Sequence, residues 1–596
     1  MKRSVIRGIT SALIIFAILL TALSGCADRG GGSESENVIY ERQSEGSKSV
    51  MTESAAPNPL RSEAADAGAL LWTFADPSDK QTRITAAEFD GALTLCLPSS
   101  SSLCAVTLYC SEASVELTGG DGVRLDVPSG GSADFTLFPG DGRTASRCSY
   151  RIGDKTGELT VMRSENVDAL FLVSDDPAGR GRGWVESSPD HSLKATGGMT
   201  LLDPAGKAVY SGALTQIKGR GNSTWGLPKR PYQIKLEKKT DLLGTGDRAN
   251  SSGTWLLLAN YLDASLMRND LILDISRALG LIDTPEYAHA DLWYDGEYRG
   301  SYLITEKVEI GSGRVEIRNL EKHVKTANPG YDFDAPAVKR DVTPWGTEMQ
   351  YAEGVEYQGD LSGGYLLEIE NEDRIRSEVS WFRTRNGDFI NVKSPEAVPR
   401  DALLYIAGIY QEFEDAVFNG GVNPDTGKLY SDYADLDSLV LCYLAMELSG
   451  NSECFVNSTF FYKDAGDAKL RCGPMWDYDL SLSVLSTEVR AGKTRLGGAL
   501  TALPDFAAKV GETYRETLYP LLENFLSENG RIESLRAQLS ASARMNYTLW
   551  PYRSYMGEAQ AGDGFDPNVD YVADYLSQRR EFLLTAFESR PAEPEE

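Results

Sequence analysis

Hydrophobic and polar positions divide the chain into four regimes. From Ile9 to Leu23 the sequence is apolar and uncharged, behind a basic start of Lys2, Arg3 and Arg7. That run is short for the hydrocarbon core of a bilayer and has the layout of a secretory signal peptide, expected over residues 1–25. Residues 26–60 are rich in Gly, Ser, Glu and Pro. Such a stretch cannot bury enough surface to offset its ordering entropy, so a flexible tether is expected. Residues 61–164 alternate in short runs such as "ALTLCLP", "SVELTGG" and "VRLDVP", broken at regular spacing by Gly, Pro, Asp and Ser. This predicts a small β-sandwich-like domain, a spacer or adhesive module without chemistry of its own. From 165 to about 590 the elements lengthen and mix, ending in a helical stretch. The fold class is α+β.

Within that last region, residues 213–239 read as strand, glycine-containing turn and strand, with Gly219 and Gly221 leaving the backbone free to approach a ligand. In residues 255–281, Asp263 is placed to cap a helix with apolar positions at helical spacing (Leu266, Met267, Leu271, Ile275, Leu279). Residues 290–310 form a hairpin pattern turning at Asp295-Gly296. Residues 432–450 predict an amphipathic helix stopped by Gly450, followed by the polar loop "NSECFVN". Two strands around "AGDA" come next and carry the chain into "GPMWDYDLS".

Composition narrows the function. The formal net charge of −28 argues against nucleic acid as a partner, because phosphate binding needs a basic surface. Eight cysteines fall as Cys26, a group at 96, 104, 110 and 148, and a group at 442, 454 and 472. An exported chain permits disulfides, but the spacing selects no pairing, and no CxxC pair suggests zinc. The three histidines (His191, His289, His323) have no metal-ligand spacing.

The chemistry concentrates in "DYD". Asp477 and Asp479, two apart on an expected strand, would share a face. Two carboxylates that close repel unless a cation or proton sits between them. Upstream, Lys218, Lys229 and Lys235 can neutralise phosphates. The order of helix, polar loop with a carboxylate, hairpin and acidic pair, behind a glycine hairpin with a lysine, is also that of protein-kinase catalytic machinery.

Two resemblances sharpen this. "LSGC", ending at Cys26, resembles the bacterial lipobox, which implies cleavage before Cys26, a lipid on its sulfur, and anchoring on the outer face of the cytoplasmic membrane. "KGRGNSTW", "PKRPYQIKL", "WLLLANYLDASLMRND", "YRGSYLITEKV", "GGYLLEIE", "ELSGN" and "GPMWDYDLS" together resemble the CotH kinase family, strongly over about 167–490 and more loosely beyond. The resemblance implies an atypical, reduced protein-kinase-like domain over 165–590 that transfers phosphoryl from ATP to Ser or Thr of a protein substrate. Asp477, Asp479 and Asn457 would then hold Mg²⁺ or Mn²⁺, with Asn451 a further candidate for the shell or for orienting the loop. Lys235 is the first candidate to pair the phosphates, ahead of Lys218 and Lys229. Gly219, Gly221, Arg268 and Asn269 complete the expected nucleotide site. The expected catalytic residues are Glu453 and Asp477. Related sequences read Asn-x-Asp where this chain has "NSE", so the presumed base is a glutamate, one methylene longer. The alternative is a surface binding or scaffold protein that keeps the fold without the reaction. A glycosyltransferase would use Asp-x-Asp but not the upstream hairpin. A haloacid-dehalogenase phosphatase would open its fold with such a motif, not place it this late.

Overall fold

The computed structural model describes residues 70–588, apart from 76–80, 90–91, 103–105, 111–113, 120–121, 136–144, 245–250, 551–560 and 563. The expected signal peptide, tether and lipid-bearing Cys26, with Cys104, lie outside the described residues. Among the described residues no helix is long and apolar enough to cross a membrane.

Ten strands open the described chain: β1 (Leu70–Ala75), β2 (Gln81–Thr85), β3 (Ala87–Phe89), β4 (Ala92–Leu97), β5 (Val106–Cys110), β6 (Val115–Gly119), β7 (Arg124–Val127), β8 (Ser132–Phe135), β9 (Ala145–Ile152) and β10 (Lys155–Arg163). One layer runs β2-β1-β5-β8 and the other β3-β4-β10-β9-β6-β7. Ile84 and Leu108 from the first layer meet Leu95, Leu117, Leu159 and Val161 from the second. The same cluster continues into Phe171, Trp293 and Tyr298, and into Met545, Leu549 and Trp550 near the C-terminus. These strands therefore do not stand apart as a spacer. Buried Asp291 fastens the junction by accepting hydrogen bonds from Ser164, Tyr298 (2.7 Å) and Ser542 (2.8 Å).

The next seven strands are β11 (Asp168–Ser174), β12 (Lys194–Leu202), β13 (Ala208–Gly219), β14 (Tyr232–Thr240), β15 (Ser252–Leu258), β16 (Tyr287–Tyr294) and β17 (Glu297–Glu306). They run in the order β15-β14-β13-β12-β11-β16-β17, and β15 also pairs with β17. The sheet thus closes into a barrel, which removes its free edges. Alternation fills the interior: Ile217, Tyr232, Ile234, Trp255, Leu257, Leu292, Tyr294 and Ile304 point inward as one buried cluster. The β16–β17 turn has Asp295 and Gly296 both at positive φ (52° and 86°), as a two-residue type I′ turn requires.

Between β15 and β16 the chain leaves the barrel to form helix α1 (Arg268–Ala278), then returns. Leu271 and Ile275 of α1 belong to a separate, larger core. That core is built on a second sheet of β18 (Val338–Val342), β19 (Glu348–Ala352), β20 (Tyr365–Glu370), β21 (Trp381–Arg383), β22 (Phe389–Ser394), β23 (Thr459–Lys463) and β24 (Arg471–Cys472). Their order is β18-β19-β21-β22-β20-β23-β24. Helices α2 (Arg400–Phe418), α3 (Leu436–Ser449), α4 (Arg531–Leu549) and α5 (Phe565–Glu588) are the longest of the helices that build this lobe. Helix α1 starts five residues after Asp263, later than the sequence suggests, yet the Asp263 carboxylate still accepts from the Arg268 N–H at 2.8 Å. Helix α3 is not amphipathic as expected. Every residue from Leu439 to Ser449 is buried except Leu441. It is a core helix ending at Gly450 in the left-handed conformation (φ 61°).

The end of α3 is held by an ion pair between fully buried Glu447 and Arg579, 2.5 Å apart. The Glu447 carboxylate also accepts from the N–H groups of Arg490 (2.6 Å) and Gly492 (3.2 Å). The Arg579 guanidinium also donates to the carbonyls of Ser486 (2.7 Å) and Glu488 (2.9 Å). Removing one partner of a buried pair costs about 3–5 kcal/mol. Glu447→Gln and Arg579→Met should each lose that much in chemical denaturation. The double variant Glu447→Leu/Arg579→Met should not recover, because four backbone groups lose their partners. Recovery to wild-type stability would show that the two charges serve only each other.

Candidate functional site

A cleft of about 340 Å³ lies between the barrel and the second lobe. The barrel wall contributes Lys218 of β13, Arg220 and Gly221 of the β13–β14 connection, and Lys307 just after β17. The facing wall contributes Glu368 and Glu370 of β20, Asn451 and Glu453 of the loop after α3, and Asp477 and Asp479.

The aspartates do not sit on a strand. The ladder ends at Cys472, and residues 473–478 form no regular element. Asp477 is left-handed (φ 72°), a conformation that aspartate tolerates better than most residues. Tyr478 between them is buried and donates its N–H to Asn269 Oδ1 at 2.8 Å, tying the acidic segment to the start of α1. Asn451 donates to the Asp477 carbonyl (3.3 Å), and its Oδ1 accepts from the Glu453 N–H (2.9 Å). Ser458 Oγ donates to Asp477 Oδ2, and Asn457 Nδ2 to Glu453 Oε2, each at 3.3 Å.

Charge on the two walls is opposed. Burial pushes the Asp479 carboxyl up to about 7, helped by Asp477, Asp263 and Glu453 and opposed by Arg268. Burial and Asp477 also raise Glu453, and the Asn457 hydrogen bond partly offsets this. Glu370 is pushed up to about 7 by burial and by Glu368. On the barrel side, burial lowers Arg220, whose charge Asp477, Asp479 and Glu368 support. Lys218 is lowered by burial and then by Lys194, Lys307 and Lys235. Clustered carboxylates suit a hard divalent cation, which needs only one or two of them when phosphate oxygens and water supply the rest. Arginine and lysine suit the phosphates. Among the described residues no three Asp, Glu, His or Cys side chains form a ready metal cage. Two aspartates and a phosphate-bearing ligand are the donor set that remains.

Of the residues singled out in the sequence, Lys218, Gly221, Lys229, Asn269, Asn451, Glu453, Asp477 and Asp479 line the cleft, while Gly219, Lys235, Arg268 and Asn457 do not. Lys229 is turned away: its ammonium donates to the Ser301 carbonyl and to Asn546 (2.8 Å), over the Tyr302 ring. Lys235 is exposed on the outer face of the barrel. Gly219 makes room for packing, since a Cβ there would lie 2.3 Å from the Trp225 ring. Arg268 is 1% exposed and pairs with Asp263 at 3.5 Å. His289 is buried against Asp270 at 2.6 Å, outside the cleft. The sequence reading passed over Arg220, Glu368, Glu370 and Lys307. The available signals were an arginine between the two glycines of "KGRG" and two glutamates at alternate positions of the apolar run "YLLEIE".

Asp479 generates a stability prediction for the metal-free protein. Its carboxyl has an ordinary value of 3.8 and about 7 when folded. Its stabilising contribution is complete below about pH 4 and is lost as pH rises through 7. Asp479→Asn should therefore gain stability over wild type at pH 8 and gain much less at pH 4, in thermal unfolding with chelator present. An equal difference at both pH values would contradict the crowding of these carboxylates.

No curated protein matches the chain. The family model described as "CotH kinase protein" matches residues 217–583, from within β13 to within α5. That interval holds most of the cleft residues and covers more than half of the sequence. The chain belongs to the CotH kinase family.

Proposed function

We propose that the protein is a metal-dependent phosphotransferase with a reduced kinase-like architecture, moving the terminal phosphoryl of ATP to a Ser or Thr hydroxyl of a protein. The observation that carries this is the opposition across one cleft of Lys218 and Arg220 to Asp477, Asp479 and Glu453. Lys218 and Arg220 hold the nucleotide phosphates; Lys218, not Lys235, is the lysine placed for this. Asp477 and Asp479 would bind Mg²⁺ or Mn²⁺, which supplies charge neutralisation at the phosphates. Glu453 accepts the proton of the acceptor hydroxyl as that oxygen forms its bond to phosphorus and the bond to the leaving diphosphate breaks. Asn457 and Asn451 position Glu453 from either side, through its carboxylate and its N–H. Asn269 positions the acidic segment.

Glutamate in place of the family's aspartate supports one rival reading, a binding or scaffold protein that keeps the nucleotide site without turnover. Glu453→Gln separates the two. Catalysis by this base predicts turnover lower by about 10²–10⁴-fold with nucleotide affinity unchanged. Asp477→Asn should instead abolish or greatly weaken metal-dependent nucleotide binding in calorimetry. A wild type that binds nucleotide without any transfer supports the scaffold. Equal turnover by wild type and Glu453→Gln places the base elsewhere.

The proposed location is the outer face of the cytoplasmic membrane, through a lipid on Cys26. Cys26→Ser should move the protein from the membrane fraction to the soluble fraction. Retention of the variant in the membrane would identify the N-terminal apolar run as an uncleaved anchor.

A further inference from the structure

The outer face of the barrel carries an arrangement that folding alone does not favour. Lys194 of β12 and Lys218 of β13 are direct cross-strand partners. Like charges directly opposite on antiparallel strands destabilise the pair. On the next strand, Lys235 lies two residues along from Gln233, the partner of Lys218, and so on the same face. Lys235 is opposite Thr254 of β15. Lys307 extends the register past the Trp255–Glu306 pair, level with Thr254. Four lysines thus form one belt across the β12–β13–β14–β15–β17 face, and two of them, Lys218 and Lys307, line the cleft wall. Lys194, Lys235 and Lys307 are exposed. None of the four makes an ion pair with a described residue. At Lys218 the charges of Lys194, Lys307 and Lys235 each outweigh that of the Glu396 carboxylate. In a chain of net charge −28, an unpaired belt of one sign is a local inversion of the surface.

We propose that this belt binds an acidic peptide segment, making the acceptor a Ser or Thr flanked by Asp or Glu. The inference rests on the phosphotransferase reading for the identity of the hydroxyl, but not for the binding itself. A nucleotide's phosphates need only the cleft residues Lys218 and Arg220, whereas Lys194 and Lys235 lie beyond the cleft lining. Strands are spaced about 4.8 Å apart, so the belt from β12 to the end of β17 runs roughly 15–20 Å. An extended peptide rising about 3.3 Å per residue covers that length in about five or six residues. Acidic side chains along one side of such a segment would meet Lys194, Lys235 and Lys307, leaving Lys218 to the phosphates, while its hydroxyl enters the cleft beside Glu453.

The test is fluorescence anisotropy with the full chain and no nucleotide. The probes are two labelled decapeptides with a central serine, one flanked by Asp and Glu and the other by Lys and Arg. The acidic peptide should bind more tightly. Lys194→Gln/Lys235→Gln should weaken it about five- to tenfold, the loss of two exposed charge contacts. Nucleotide affinity, measured separately, should be little changed in that variant. Equal binding of the two peptides, or acidic binding untouched by the double variant, overturns the proposal. So does a variant that loses tripolyphosphate binding but keeps the peptide, which would make the belt a phosphate site. Peptide binding that persists in a protein unable to bind nucleotide would leave the proposal standing and remove the phosphotransferase reading instead.

Discussion

Two opposite charges with no access to water hold the machinery in place. Glu447 and Arg579 sit 132 positions apart in sequence and together satisfy backbone groups in two segments, the end of α3 and the 486–492 loop, tying both to α5, which carries Arg579. A buried pair is weak evidence for stability by itself, since desolvation offsets much of the attraction. Here the charges also do the hydrogen-bonding work of a secondary-structure ladder for the irregular backbone of residues 486–492. The loop from Gly450 to Asn457 begins three residues after Glu447, so its position follows from this clamp. Glu453 is aimed by Asn451 and Asn457, both on a loop whose start is fixed.

Across the cleft the logic reverses. The carboxylates have only partial partners, such as Asn457 for Glu453 and Ser458 for Asp477, and burial followed by mutual repulsion raises Asp479, Glu453 and Glu370. A protein that neutralises buried Glu447 so completely leaves these groups crowded beside one another. The contrast separates two kinds of buried charge: one has its full set of partners in the fold, and the other has only part of it.

Local signals in the sequence reported local structure well. The Asp295-Gly296 turn, the Gly450 stop and the β23–β24 hairpin all depend on a few adjacent residues, and each is where the pattern puts it. Features set by distant partners were not legible. Closure of the barrel depends on β15 meeting β17 across α1 and β16, and no local pattern encodes that pairing. Lys229 looked like a phosphate ligand because nothing nearby in sequence reveals Asn546, its partner 317 positions away. Asp477 and Asp479 converge, but through a left-handed residue and not through strand alternation. The N-terminal strands were read as separate because their alternation is self-consistent. The large outward residues Phe171 and Trp293, which they cover, lie in later strands.

The excursion of α1 has a consequence for the molecule as a mechanical object. Its two ends continue into barrel strands β15 and β16, while its body packs in the core of the other lobe. Together with the passage after β17, the polypeptide crosses the cleft boundary three times within about fifty residues. Two bodies sewn together at three points do not turn about a single free joint in one strand of chain. Relative motion of the two walls must then bend all three crossings together or slide one wall past the other. The same stitching makes the barrel incomplete as an isolated fragment, since excising it would cut through α1. The two lobes are thereby coupled in unfolding, and loosening at the loop after α3 has a direct route into the wall that faces it.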